Sequence, residues 1–205
     1  MIDLSRKLPI GIQTFEKLRK EGYLYVDKTA LVWQMVSTST PYFLSRPRCF
    51  GKSLLLSTFE AYFEGKKELF KGLAIEDLEK EWVTYPVLHL DLNARKYETP
   101  FDLVAMLNQH LEKWELLYGN EKQERSPEER FAYVIERASI LTGRNVVVLI
   151  DEYDKPLLQA MQNEALLDEY RTTLKAFYGV LKSSDRHLRF AFLTGVTKFA
   201  QVSVF

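Results

Sequence analysis

Residues 41–65 read PYFLSRPRCFGKSLLLSTFEAYFEG, and the three parts of this stretch decide the fold. Tyr42–Ser45 is a short apolar run behind a proline, which predicts a buried strand. From Leu54 onward, Leu55, Phe59, Tyr62 and Phe63 fall near one face of a helix, with Gly65 as its stop. Between them lies the loop RPRCFGKS. A strand, a loop ending Gly-Lys-Ser and an amphipathic helix form the pattern of a phosphate-binding loop (P-loop). Gly51 lets the backbone approach an anion with no Cβ in the way. Free N–H groups at the helix start and the helix dipole attract phosphate. Lys52 can reach the β- and γ-phosphates of a nucleotide, and Ser53 can ligate Mg²⁺. Arg46 stands where the usual pattern has its first glycine. Arg46 and Arg48 add two cations beside the loop, Pro47 fixes one φ angle, and Cys49 is read as an incidental small residue. The candidate nucleotide-binding set is therefore Arg46, Pro47, Arg48, Cys49, Phe50, Gly51, Lys52, Ser53 and Leu54.

A second segment complements the first. Asn145–Ile150 (NVVVLI) is a continuous β-branched run, as expected of a strand covered on both faces in a parallel sheet. Asp151 and Glu152 follow at its C-terminal end, where parallel sheets bind ligands. This is the form of a Walker B segment. Asp151 would hold Mg²⁺ together with Ser53, and Glu152 would orient or deprotonate an attacking water. A kinase acting on a substrate hydroxyl has no need of that second carboxylate; a hydrolase has. The strand Leu188–Thr194 ends in a polar residue, making Thr194 the candidate for contact with the γ-phosphate or the water, with Thr197 and Lys198 behind it. The predicted catalytic set is Lys52, Glu152 and Thr194. Asp154 is read as the cap of a helix opening at Pro156, and Asp91 as a turn cap. His89, His110 and His187 have no metal-ligand spacing.

Around these motifs the chain alternates. Short helices are predicted from Thr14 to Lys20 and, capped by Asp27 or Thr29, to Val36. Val87–Leu92 reads as a strand, and Phe101 to about Tyr118 as a helix. Ser126-Pro127-Glu128-Glu129 is a capping box opening a helix to about Leu141, and Glu164 to about Lys182 is a long helix. The whole is an α/β pattern with a mainly parallel sheet. Its 205 residues fit one large domain, residues 1–205, with a helical lead-in (1–40) and a core (41–205). The 28 basic and 28 acidic side chains leave no basic excess, so composition does not support nucleic-acid binding. The single cysteine rules out an internal disulfide and fits a reducing compartment. With no secretory signal and no apolar run long enough for a bilayer, the expectation is a cytoplasmic protein without membrane contact.

LPIGIQTFEKLRKEGYLYVDKTALV, the P-loop stretch through FKGLAI, YPVLHLDL, VVVLIDEYDKPL and FLTGVTKFAQVSVF together resemble the AAA-ATPase-like proteins of Bacteroides-type bacteria. The resemblance spans nearly the whole chain. It makes the missing first glycine a family trait, since RPRRFGKS is typical there, with Cys49 standing where arginine is usual. It implies a three-layer P-loop NTPase core that binds ATP and Mg²⁺, with strands ordered 5-1-4-3-2 and an insertion between the Walker A and Walker B strands. Family members continue into a helical region and a restriction-nuclease-like domain. Relative to them this chain reads as C-terminally truncated, with strand 5 beyond Phe205; if that strand is missing, the P-loop strand is an exposed edge. Tyr25, Asp27 and Lys28 become candidates for a place near the adenine or the loop. ATP is the expected partner, and homo-oligomeric assembly is left open. The function implied is an ATP hydrolase serving as motor or switch for a C-terminal module. The alternative is a non-catalytic nucleotide-binding or interaction module.

Overall fold

The computed structural model describes residues 7–38, 41–120 and 125–197. Two short helices, α1 (Phe15–Lys20) and α2 (Thr29–Val36), precede the first strand, β1 (Tyr42–Ser45). After it come α3 (Lys52–Phe63), α4 (Ala74–Leu78) and β2 (Val87–Asp91). The helices α5 (Pro100–Tyr118) and α6 (Pro127–Thr142) lead to β3 (Val146–Asp151). Then α7 (Lys155–Gln159), α8 (Glu164–Ser183) and β4 (Leu188–Gly195) follow.

The four strands pair in the order β1-β4-β3-β2, and every pair is parallel. This is the 1-4-3-2 part of the expected order, and among the described residues β1 is an edge. Parallel pairing forces each connection to cross a face of the sheet. Consequently all strand C-termini, with the segments that follow Ser45, Asp91, Asp151 and Gly195, gather at one end.

The side chains of β3 show why the sheet is sandwiched. Val146, Val148 and Ile150 enter a core shared with Leu107 and Leu111 of α5, Phe131 and Val134 of α6, and Leu174 and Phe177 of α8. Val147 and Leu149 enter the opposite core with Phe15, Val32, Leu56, Phe59 and Ile75, next to Phe190 and Phe192 of β4. A run such as residues 146–150, with no polar residue at either phase of the strand's period of two, has no face for water. Each of these β3 side chains is fully buried and contributes about 1.5–3 kcal/mol relative to exposure. The result is a three-layer α/β/α core.

The helix ends follow local chemistry. Ser126 accepts from the Glu129 amide and Glu129 reaches back to Ser126, the predicted capping box. Lys28 holds the N-cap position of α2 without a side-chain bond, and Asp27, one residue earlier, accepts from the amide and hydroxyl of Thr29, the first residue of the helix. Thr99 and Asp102 form a second capping box at α5. The short helix α4, five residues long, has too little length for a periodic signal and was not foreseen. Among the described residues no helix is long and apolar enough to cross a membrane.

Candidate functional site

β1 delivers the chain to the ligand end of the sheet, and residues 46–51 form an exposed loop before α3 begins at Lys52. Two residues bend it. Cys49 has φ +66° and Gly51, at the N-cap of α3, has φ +76°. Gly51 suits that left-handed conformation, whereas at Cys49 it carries strain. A Cβ added to Gly51 would meet nothing within 4 Å, so the approach to the amides is open.

Lys52 does not extend into solvent. It is 3% exposed, and its ammonium donates to the carbonyls of Arg46 (3.1 Å) and Pro47 (3.2 Å). Its third partner comes from the other motif: Glu152 Oε1, at 3.1 Å. The two predicted catalytic groups, 100 positions apart in sequence, thus meet in one crevice.

Asp151 closes β3 and is buried, at 5% exposure. Its Oδ1 accepts from the Thr194 hydroxyl and from the Glu152 amide (3.0 Å). Thr194, fully buried near the end of β4, therefore holds the acid in place. Glu152 has φ +53°, a left-handed conformation that costs a non-glycine residue about 1–3 kcal/mol. Strain of this kind persists where surrounding structure over-determines the backbone, and here it accompanies the carboxylate that faces Lys52.

The donor set suits a magnesium nucleotide. Ser53 Oγ has no hydrogen-bond partner among the described residues, and Asp151 accepts through one oxygen, leaving Oδ2. Both are hard oxygen donors at the start of α3 and the end of β3. Among the described residues no three His, Cys, Asp or Glu side chains converge on a metal position. A cation bound here would thus complete its shell with phosphate oxygens and water, the usual habit of Mg²⁺.

Other expectations are redistributed. Asp91 caps its own turn by accepting from the Asn93 amide (2.7 Å), as anticipated. Asp154 occupies the N-cap position of α7 but makes no capping bond. Its carboxylate instead accepts from the backbone of Val196 and from the amide and hydroxyl of Thr197. Donors brought by β4 win over the local helix end. Tyr25 packs its ring on Phe15, 5.3 Å between centroids, and burial pushes its phenol up to about 12. Asp27 holds Thr29 and Ala74, so both side chains make structural contacts. Lys198 lies outside the described residues.

Sequence reading set His89 aside, yet its Nδ1 lies 3.2 Å from Glu60 of α3. Burial disfavours its charge, but the carboxylates of Glu60, Asp151 and Asp91 outweigh that and hold its pKa above the ordinary value. The alternation of Val87, His89 and Asp91 on the α3 side of β2 was the one signal that could have found it.

The chain is 42% identical over 201 residues to a protein of Azotobacter chroococcum mcd 1 described as "Uncharacterized protein in vnfD 5'region". The match takes in 98% of this chain but only 39% of that relative, so the chain spans about two fifths of its length. No solved structure matches the chain. The family model described as "Predicted AAA-ATPase" matches residues 9–205, nearly the whole sequence. With the phosphate loop, the acidic strand and the 1-4-3-2 parallel sheet in place, the chain belongs to the predicted AAA-ATPase family.

Proposed function

We propose that this chain is the nucleotide-handling domain of a Mg²⁺-dependent ATP hydrolase that drives or switches the remainder of a longer cytoplasmic protein. The observation that carries the reading is the meeting of Lys52 and Glu152 at 3.1 Å across one crevice. In this reading the loop amides and Lys52 bind the β- and γ-phosphates, while Ser53 and Asp151 hold the metal ion. Bound Mg²⁺ supplies positive charge against the phosphate oxygens. Glu152, released from Lys52 by the incoming phosphates, orients a water and accepts its proton as the water oxygen bonds to the γ-phosphorus. The bond from that phosphorus to the β–γ bridging oxygen breaks, giving ADP and phosphate. Thr194 keeps Asp151 in place through its hydroxyl. Arg46 and Arg48, both exposed on the loop, would add positive charge beside the phosphates. A module similar to restriction nucleases, following this domain, is the proposed recipient of the work.

Calorimetric titration with Mg-ATP tests the reading. The parent protein is expected to bind, Lys52→Ala to lose binding, and Glu152→Gln to bind without releasing phosphate. A parent that gives no heat and no melting shift with Mg-ATP sinks it. A second reading, nucleotide binding without cleavage, is favoured by one feature: Lys52 has all three donor positions occupied within the protein. Binding without phosphate release by the parent would select that reading.

A further inference from the structure

The segment that leaves β4 is held from two sides. On one side stands the start of the phosphate loop. The Arg46 amide donates to the Gly195 carbonyl (3.1 Å), and the Ser45 hydroxyl donates to the Val196 carbonyl (2.9 Å). On the other side stands the turn after the acidic strand. The Tyr153 hydroxyl donates to the Thr197 carbonyl (3.0 Å). The Asp154 carboxylate accepts from the amides of Val196 (3.0 Å) and Thr197 (2.7 Å) and from the Thr197 hydroxyl (2.8 Å). Asp154 is fully buried. Gly195 has no room for a side chain: a Cβ there would come 2.5 Å from Tyr153 and 2.6 Å from Asp154.

A buried carboxylate is costly unless its lone pairs are used, and this one uses them on three donors of a single turn. None of the phosphate-facing roles above requires Asp154. Its contacts serve a different purpose: they tie the piece carrying Glu152 to the piece carrying Lys52, with residues 195–197 as the shared anchor. We propose that Asp154 is a positioning residue for ATP hydrolysis. It fixes the 196–197 turn and so sets the placement of the phosphate loop relative to Asp151, Glu152 and Thr194. In that reading the phosphates are bound by the loop and α3, which are consecutive in sequence, while Asp151 reaches only the metal ion. Bond cleavage depends on registering that piece against the acidic one, and small misplacements there cost rate steeply.

This inference rests on the hydrolytic reading of the site, and the experiment separates the two. Amide hydrogen exchange is measured without nucleotide in the parent, Asp154→Ala and Asp154→Asn, alongside Mg-ATP affinity and steady-state turnover. In Asp154→Ala, exchange is expected to rise at Val196, Thr197 and Arg46 together. Its kcat should fall by about tenfold or more while Mg-ATP affinity stays within about threefold. Asp154→Asn keeps an oxygen toward the turn and should recover most of both. If the alanine variant does not fold, Thr197→Val, which loses only the hydroxyl contact, should give a smaller fall in kcat at unchanged affinity. Unchanged exchange at Arg46 in Asp154→Ala overturns the inference, as does equal impairment of the alanine and asparagine variants. A fall in affinity matching the fall in kcat overturns it too. A parent that hydrolyses no ATP overturns the hydrolytic reading instead, and is seen in the turnover arm alone.

Discussion

Glu152→Gln is the most informative single change, because it alters the ion pair that joins the two motifs. Lys52 and Glu152 are 3.1 Å apart, with side chains 3% and 16% exposed. At an effective dielectric of about 20, two unit charges at that distance attract by roughly 5 kcal/mol. Much of that is offset by the desolvation of both groups. Glutamine keeps the oxygen and one hydrogen bond to Lys52, so the substitution removes only the charge-assisted share, about 1–2 kcal/mol. An incoming triphosphate must take Lys52 from Glu152, and in the variant it no longer works against that share. Mg-ATP affinity is therefore expected to tighten by about 5–30-fold, while phosphate release stops. Calorimetric titration of parent and variant under the same salt measures this directly. Affinity that is unchanged or weaker would show that the ion pair does not compete with nucleotide, and the account of a crevice closed by its own residues would fall.

Three further outcomes follow from contacts elsewhere. Gly195→Ala should destabilise the fold by about 1–3 kcal/mol, because its Cβ would lie 2.5 Å from the Tyr153 ring; a denaturant midpoint equal to the parent's would contradict the close approach. Arg130 makes a two-bond contact with Glu115 and a third with Asn108, all at 2.7 Å and largely buried. Glu115→Ala should cost about 3–5 kcal/mol, whereas Arg130→Met with Glu115→Leu should cost far less; chemical unfolding in which the double variant is the worse of the two would refute this. Asp27 is held below the ordinary carboxylate range: burial raises its pKa, but hydrogen bonds from Thr29 and Ala74 outweigh that. A lowered folded value means its stabilisation is present above the unfolded pKa and is lost as pH falls through the folded one. Asp27→Ala should cost about 1 kcal/mol at neutral pH, reduced by the exposure of the group. The gap should close as the pH drops below about 4, and thermal melts showing a pH-independent gap would rule it out.

The strands were legible because their signals are local. Residues 146–150 have no polar phase, and such a run is at rest only between two apolar layers. The P-loop and Walker B residues were likewise readable as types at fixed spacing, and the fold brings Lys52 and Glu152 together as that reading required. What escaped depends on partners distant in sequence. Asp154 before Pro156 is a natural helix cap, but its carboxylate finds donors 42 and 43 residues away. The left-handed backbone at Cys49 and Glu152 leaves no mark in composition, since neither residue favours it. Thr99-Pro100-Phe101-Asp102 did carry a readable cap pattern, and only its aspartate in place of glutamate or glutamine hid it.

The position of β4 between β1 and β3 also governs the order of assembly during synthesis. The P-loop strand has β4 as its only described neighbour, and Ser45 waits for Val196, 151 residues later. Ribosomes add about 5–20 residues per second, so roughly 8–30 s separate the translation of the two halves of that contact. In that interval β2 and β3 can pair behind α5 and α6, whereas Tyr42–Ser45 remains an unpaired apolar strand. The nascent chain thus carries its nucleotide loop unfinished until β4 slots in beside β1, and that window is when a chaperone would find it.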